Sequence, residues 1–167
     1  MPGADAGLRR RYLKLGLIAA VVVAVLDQLS KWWIVAQVMS PPRTIEVTSF
    51  FKLVIAWNRG VSFSMLNMGG ETGRWALSAL ALVIVAVLFI WLRKAVRWLP
   101  ALGLGLVIGG AIGNVIDRVR VGAVADFLLF HWGDAYWPAF NLADSAITVG
   151  VAALLIDALF GARESHK

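Results

Sequence analysis

The sequence predicts an all-α membrane protein: four transmembrane helices with a small extracytoplasmic β-containing loop region. Three observations predict it. Of 167 residues, 60% are hydrophobic and only 16% charged, with a mean hydropathy of +0.77; a soluble domain of this length carries about 25% charged residues. Four separate apolar runs approach the roughly 20 residues that cross a hydrocarbon core of about 30 Å. Eight Trp and eight Phe suit a bilayer protein, whose aromatic rings collect near the headgroups. The length fits one domain, residues 1–167.

The first run extends from about Leu13 to Val38. Arg9, Arg10 and Arg11 precede it, Leu15 to Leu26 carry no charge, and Asp27, Lys31, Trp32 and Trp33 follow. Basic residues before an apolar stretch also open a secretory signal, but no small-residue cleavage site follows, so a retained helix is expected. Thr44 to Ile55 is rich in β-branched and aromatic residues, a strand or hairpin signal, with Asn58, Gly60, Gly69 and Gly70 as turn formers. The second run is 75–92, the third 99–116 and the fourth 143–160. Between the last two, Asp117 to Phe140 mixes apolar stretches with Trp132, Tyr136 and Trp137, an outer loop suited to the membrane surface.

Charge placement orients the spans. Arg9, Arg10, Arg11 and Lys14 flank the first; Arg93, Lys94 and Arg97 fill the turn between the second and third; Arg163 and Lys167 follow the fourth. With four spans these lie on one side, the cytoplasmic one by the bias of Lys and Arg. Arg43, Lys52, Arg59, Arg74, Arg118 and Arg120 are spread over the longer loops opposite. The net charge of +6 is read as this topology signal; without a basic face or base-stacking motif, no nucleic acid is expected. The absence of Cys removes disulfides, thiol nucleophiles and thiolate metal sites. The two His, His131 and His166, form no H-E-x-x-H zinc motif.

Ionisable groups at membrane depth are costly, so they pair, line a cavity or act. Asp27 lies about 18 Å along the first span from Leu15, in its outer half. Lys31, at i+4, shares its face, which suggests an internal ion pair. A Ser30–Lys31 hydrolase is disfavoured because adjacent helical residues point apart. Gly103, Gly105, Gly109, Gly110 and Gly113 allow close helix approach. Asn114, Asp117 and Arg118 follow, Asn114 sharing a face with each of the others; a local hydrogen-bonded cluster and substrate positioning both fit. Asp126 stands among apolar residues. Asp144 opens the fourth span, where it either caps the helix or leaves capping to Asn141. Asp157 lies about 20 Å farther down that helix, and Asp134 reads as surface. Asp126 and Asp144 are thus able to meet at the outer end of the bundle. Two close carboxylates share a proton: the ionised one takes a proton from water as it attacks a carbonyl, and the protonated one supplies acid. Apolar flanks favour the proton on Asp126, and the helix dipole favours charge on Asp144, so Asp144 acts first as base.

In order, the chain carries Asp27-Gln28-x-x-Lys31, Asn58-x-Gly60-x-Ser62-Phe63, Gly109-Gly110-x-x-Gly113-Asn114-x-x-Asp117-Arg118, Gly122-x-Val124-x-Asp126-Phe127 and Phe140-Asn141-x-Ala143-Asp144. Across nearly its whole length it resembles the bacterial lipoprotein signal peptidase (signal peptidase II) family; Ser62, where the family more often has Ala, is a mild departure. The resemblance implies an intramembrane aspartic endopeptidase of the bacterial inner membrane that removes signal peptides from diacylglyceryl-modified prolipoproteins, cutting before the lipidated Cys. It implies catalytic Asp126 and Asp144, substrate- or inhibitor-contacting Asn58, Asn114, Arg118 and Asn141, inhibition by the cyclic peptide globomycin, and no metal or cofactor. Asp27, Lys31 and Asp117 remain as structural polar residues. A lipidated substrate arriving laterally through the bilayer reaches a site between helices near the outer headgroups. A proton-coupled transporter needs polar residues along a complete path, whereas the cytoplasmic halves of spans two and four are nearly all apolar. A non-enzymatic scaffold leaves the outer-end Asp, Asn and Arg unexplained.

Overall fold

The computed structural model describes residues 2–60 and 71–160. Among them are four helices long and apolar enough to cross a membrane: α1 (Pro2–Trp33), α2 (Glu71–Leu92), α3 (Trp98–Val121) and α4 (Leu142–Phe160). The first continues through a π-helical turn, Ile34–Val38, closed by the Met39 N–H donating to the Ile34 carbonyl at 2.8 Å. Ser62, Phe63, Gly69, Gly70, Arg163, His166 and Lys167 lie outside the described residues.

The glycines of α3 explain why it is the central helix, packed against the other three. Gly105, Gly109 and Gly113 recur every four residues and so share one face, turned to α1. A Cβ on Gly109 would lie 2.5 Å from the Ala20 carbonyl oxygen. On another face, a Cβ on Gly110 would lie 2.5 Å from the Ala143 carbonyl of α4, and Gly103 abuts Gly150. Backbones approach this closely only where side chains are absent, and in lipid such packing supplies much of the association. Ala20, Leu92, Ala95, Ala101, Leu104 and Ile108 fill the core where α1, α2 and α3 meet. The outer faces stay apolar and exposed, with Val21, Val25, Leu80, Val83, Val87, Val149 and Leu159 pointing outward as lipid-facing residues do.

A small sheet stands at the other end of the bundle. Strands β1 (Ile45–Thr48), β2 (Phe51–Asn58), β3 (Val124–Trp132) and β4 (Ala135–Tyr136) pair antiparallel in the order β1-β2-β3-β4. The β2–β3 register sets Leu53 opposite Leu128 and Ala56 opposite Asp126, with an irregularity between Leu53 and Ala56. Phe127 from the sheet packs with Ile34 and Met39 from the end of α1, joined by Leu53, Ile55 and Leu128. This apolar joint fixes the sheet on the bundle.

Two segments go beyond the sequence reading. The third apolar run is Leu99 to Ile116 with Asp117 and Arg118 following it, and α3 runs on to Val121, Asn114 and Asp117 being paired with Lys31 of α1. It stops at Gly122, whose φ of +83° few other residues adopt readily. The outer stretch from Asp117 to Phe140, part of the expected β-containing loop region, takes a definite form: after that helical end it forms β3, which places Asp126 in a strand.

Candidate active site

The site is built where the C-terminal end of α3, the start of α4, the end of α1 and the sheet converge. Asn141 precedes the first residue of α4, and its side-chain oxygen accepts the Asp144 backbone N–H at 3.0 Å. Asp144 Oδ2 in turn accepts the Asn141 backbone N–H at 3.2 Å. This reciprocal pair is a capping box. Both capping candidates of the sequence therefore take part, and Asp144 keeps its second oxygen, Oδ1, which accepts the Asn114 amide at 2.8 Å.

Asp126 is 3% exposed in β3. Its Oδ1 accepts the Asn141 amide at 2.7 Å and its Oδ2 the Asn58 amide at 3.1 Å. Asn58 reaches it because Ala56, two residues earlier on β2, is its cross-strand partner, and alternate strand residues share a face. Burial pushes the Asp126 carboxyl up to about 6; the two amides oppose this, and the Asp144 charge adds to it. Asn141 thus joins the two carboxylates, by its side chain to Asp126 and by its backbone to Asp144. Asp126 is sealed away while Asp144 is half-buried, so the surroundings of the two are unequal.

Arg118 lies one turn beyond Asn114 on α3. Its Nη1 donates to the Asn114 carbonyl at a long 3.5 Å, and its buried Nε has no hydrogen-bond partner among the described residues. A buried unmatched donor on a cation is expensive, and here it leaves a donor in reserve beside the two carboxylates.

Beneath the pair lies a buried ionic cluster. Lys31 Nζ sits 2.8 Å from both Asp27 Oδ2 and Asp117 Oδ2 and donates to Asn114 Oδ1 at 3.0 Å. The i+4 spacing of Asp27 and Lys31 was legible; the reach to Asp117 on α3 was not. Gln28, which the sequence reading gave no role, donates to Asp117 Oδ1 at 2.8 Å and to the Gly113 carbonyl at 3.2 Å. Its place between Asp27 and Lys31 in the first motif was the only signal. Ser30 donates to the Asp27 carbonyl within its own helix. Asp157 pairs with Arg97 at the opposite end of the bundle, and Asp134 is exposed.

The family described as Signal peptidase (SPase) II matches residues 19–160. A lipoprotein signal peptidase of Rhodopseudomonas palustris (strain TIE-1) is 46% identical over 155 residues, covering 90% of this chain and 94% of the relative. One from Pseudomonas fluorescens is 42% identical, covering 94% and 92%. A bacterial membrane enzyme solved by the in meso method at 2.3 Å resolution superposes with a TM-score of 0.74 at 28% identity, covering 91% of each chain.

Proposed function

This chain belongs to the signal peptidase II family, and from that premise we propose that it removes the signal peptide from diacylglyceryl-modified prolipoproteins, cutting before the lipidated Cys, with Asp126 and Asp144 as its catalytic pair. The observation that carries the assignment is the shared grip of Asn141 on both carboxylates. Burial raises the Asp126 carboxyl to about 6, which makes it the member of the pair that takes up the shared proton, while the less buried Asp144 at the start of α4 serves as the carboxylate. Asp144 takes a proton from water as the water oxygen attacks the scissile carbonyl, and Asp126 gives its proton to the developing oxyanion. Collapse of the tetrahedral intermediate returns that proton to Asp126 and passes the one on Asp144 to the leaving amine.

The Arg118 Nε, without a partner among the described residues, is suited to hold the substrate backbone, and Asn58, exposed while its amide donates to Asp126, lies where substrate meets the pair; Asn114 and Asn141, engaged with the carboxylates, set the geometry. The half-buried position of Asp144 between helices suits a lipidated substrate that enters sideways from the bilayer. Both termini lie in the cytoplasm of the bacterial inner membrane on this reading, with the site near the outer face and open to the cyclic peptide globomycin.

The test is cleavage by the purified chain of a prolipoprotein peptide bearing a diacylglyceryl Cys, beside the same peptide unmodified. Scission before the Cys of the lipidated peptide alone, blocked by globomycin, is expected. Equal cleavage of both peptides, or none by folded protein, contradicts the proposal.

A further inference from the structure

We propose that Lys31, on the far side of Asn114 from substrate, is a positioning residue of this reaction: its buried ammonium fixes the direction of the Asn114 amide, and through it the donor that faces Asp144. The proposal rests on the assignment of Asp126 and Asp144 as the catalytic pair.

The two ends of an Asn amide are alike in size, so hydrogen-bonding partners decide which way it points. Asn114 Oδ1 accepts from Lys31 at 3.0 Å and from Asn141 Nδ2 at 3.2 Å. An ammonium only donates, so Oδ1 must face it, and the NH2 group is left pointing at Asp144 Oδ1, 2.8 Å away. Reversed, the amide would set NH2 against a cation and its carbonyl oxygen against a carboxylate. Asn141 does not impose the direction unaided, since the two hydrogens of its Nδ2 are shared among Asp126 Oδ1 at 2.7 Å, Asn114 Oδ1 at 3.2 Å and the Ala125 carbonyl at 3.4 Å.

Lys31 is itself fixed. It is 4% exposed and gripped by Asp27 and Asp117 at 2.8 Å each. The remaining contacts of these carboxylates lead back to the site. Asp27 Oδ1 accepts the backbone N–H of Ala143, the residue before Asp144, at 3.0 Å. Asp117 Oδ2 accepts the backbone N–H of Ala125, the residue before Asp126, at 3.3 Å. One cation thus ties together two carboxylates that each hold the backbone entering a catalytic Asp. A buried ion pair adds little net stability over an apolar substitute, so positioning accounts for the cluster better than stability does.

The test is a double-mutant cycle on turnover of the lipidated peptide, using Lys31→Met, Asn114→Ala and the double variant, each corrected for folded fraction. Lys31→Met is expected to lower kcat at least tenfold with KM within twofold, because Lys31 does not touch substrate. In the Asn114→Ala background the same change is expected to lower kcat by less than twofold, since the relay is already cut. If Lys31→Met leaves too little folded protein, the cycle is run on an Asp27→Asn background, which removes one of the two carboxylates left unpaired; the other, Asp117, keeps its Gln28 donor. Multiplicative losses in kcat, or a lower Tm with unchanged kcat per folded molecule, overturn the proposal. Wild-type turnover by Asp144→Asn instead overturns the catalytic pair itself.

Discussion

Replacing Asn58 by Leu removes one of the two amide donors on Asp126, the bond to Oδ2 at 3.1 Å, and leaves the Asn141 donor at 2.7 Å in place. The Asn58 donor favours the ionised carboxylate, so its loss lets Asp126 keep its proton to higher pH. A hydrogen bond to a charged group contributes about 1.5–3 kcal/mol. Asn58 is exposed, so the lower end applies, and at about 1.4 kcal/mol per pKa unit the shift is about one unit upward. Since burial pushes the Asp126 carboxyl up to about 6, above the ordinary carboxylate range, its ionisation belongs to the alkaline limb, where the pair loses its acid. The limb reports the coupled pair, and kcat/KM reads it in the free enzyme. Cleavage of a lipidated fluorogenic peptide from pH 4 to pH 9 measures it. The alkaline limb of kcat/KM should move up by about one unit in Asn58→Leu, whatever the loss of amplitude from weaker substrate binding. A limb that stays in place or moves down refutes Asp126 as the acid.

Other consequences follow from the same geometry. Between the ordinary carboxylate value of 3.8 and about 6, the folded state holds more proton on Asp126 than the unfolded one. Stability should therefore fall as pH rises through that window, with Asp126 contributing at most about 3 kcal/mol; Tm against pH should show a steeper fall in the wild type than in Asp126→Asn. A Cβ on Gly113 would lie 2.5 Å from Asp27 Oδ2, so Gly113→Ala should cost about 1–3 kcal/mol, seen as a lower Tm; an unchanged Tm would mean that α1 and α3 have room to separate. Reporter fusions after Leu66 and Trp132 should read outside and a fusion after Arg97 inside, and the reverse pattern would place the site on the wrong face.

The helices were legible because lipid imposes long apolar runs, whatever their neighbours. The end of α3 was not, because Asn114, Asp117 and Arg118 break the hydropathy pattern although their partners on α1 bury two of them within the protein. Asp27 and Lys31 betrayed each other by helical spacing. Their link to Asp117 and Asn114 depends on the α1–α3 packing, which the glycines permit but local sequence does not specify. The hairpin of β1 and β2 announced itself through β-branched and aromatic residues. β3, equally apolar, read as part of a structured outer loop without its own strand bounds because its partner strand is remote in sequence, and only that pairing brings the Asn58 amide to Asp126. The motifs carried the identity of the candidate site residues, while the role of Asn141 in joining the two carboxylates emerged from the helix cap.

The most direct measurement is turnover of the lipidated peptide by purified Asp126→Asn and Asp144→Asn, each checked for wild-type Tm and globomycin binding, beside Asp157→Asn, which alters the ion pair with Arg97 at the far end of the bundle. The account predicts loss of at least about a thousandfold in kcat for each of the first two, since acid and base are both required, and near wild-type turnover for Asp157→Asn. A folded Asp126→Asn or Asp144→Asn that cleaves at the wild-type rate would contradict it.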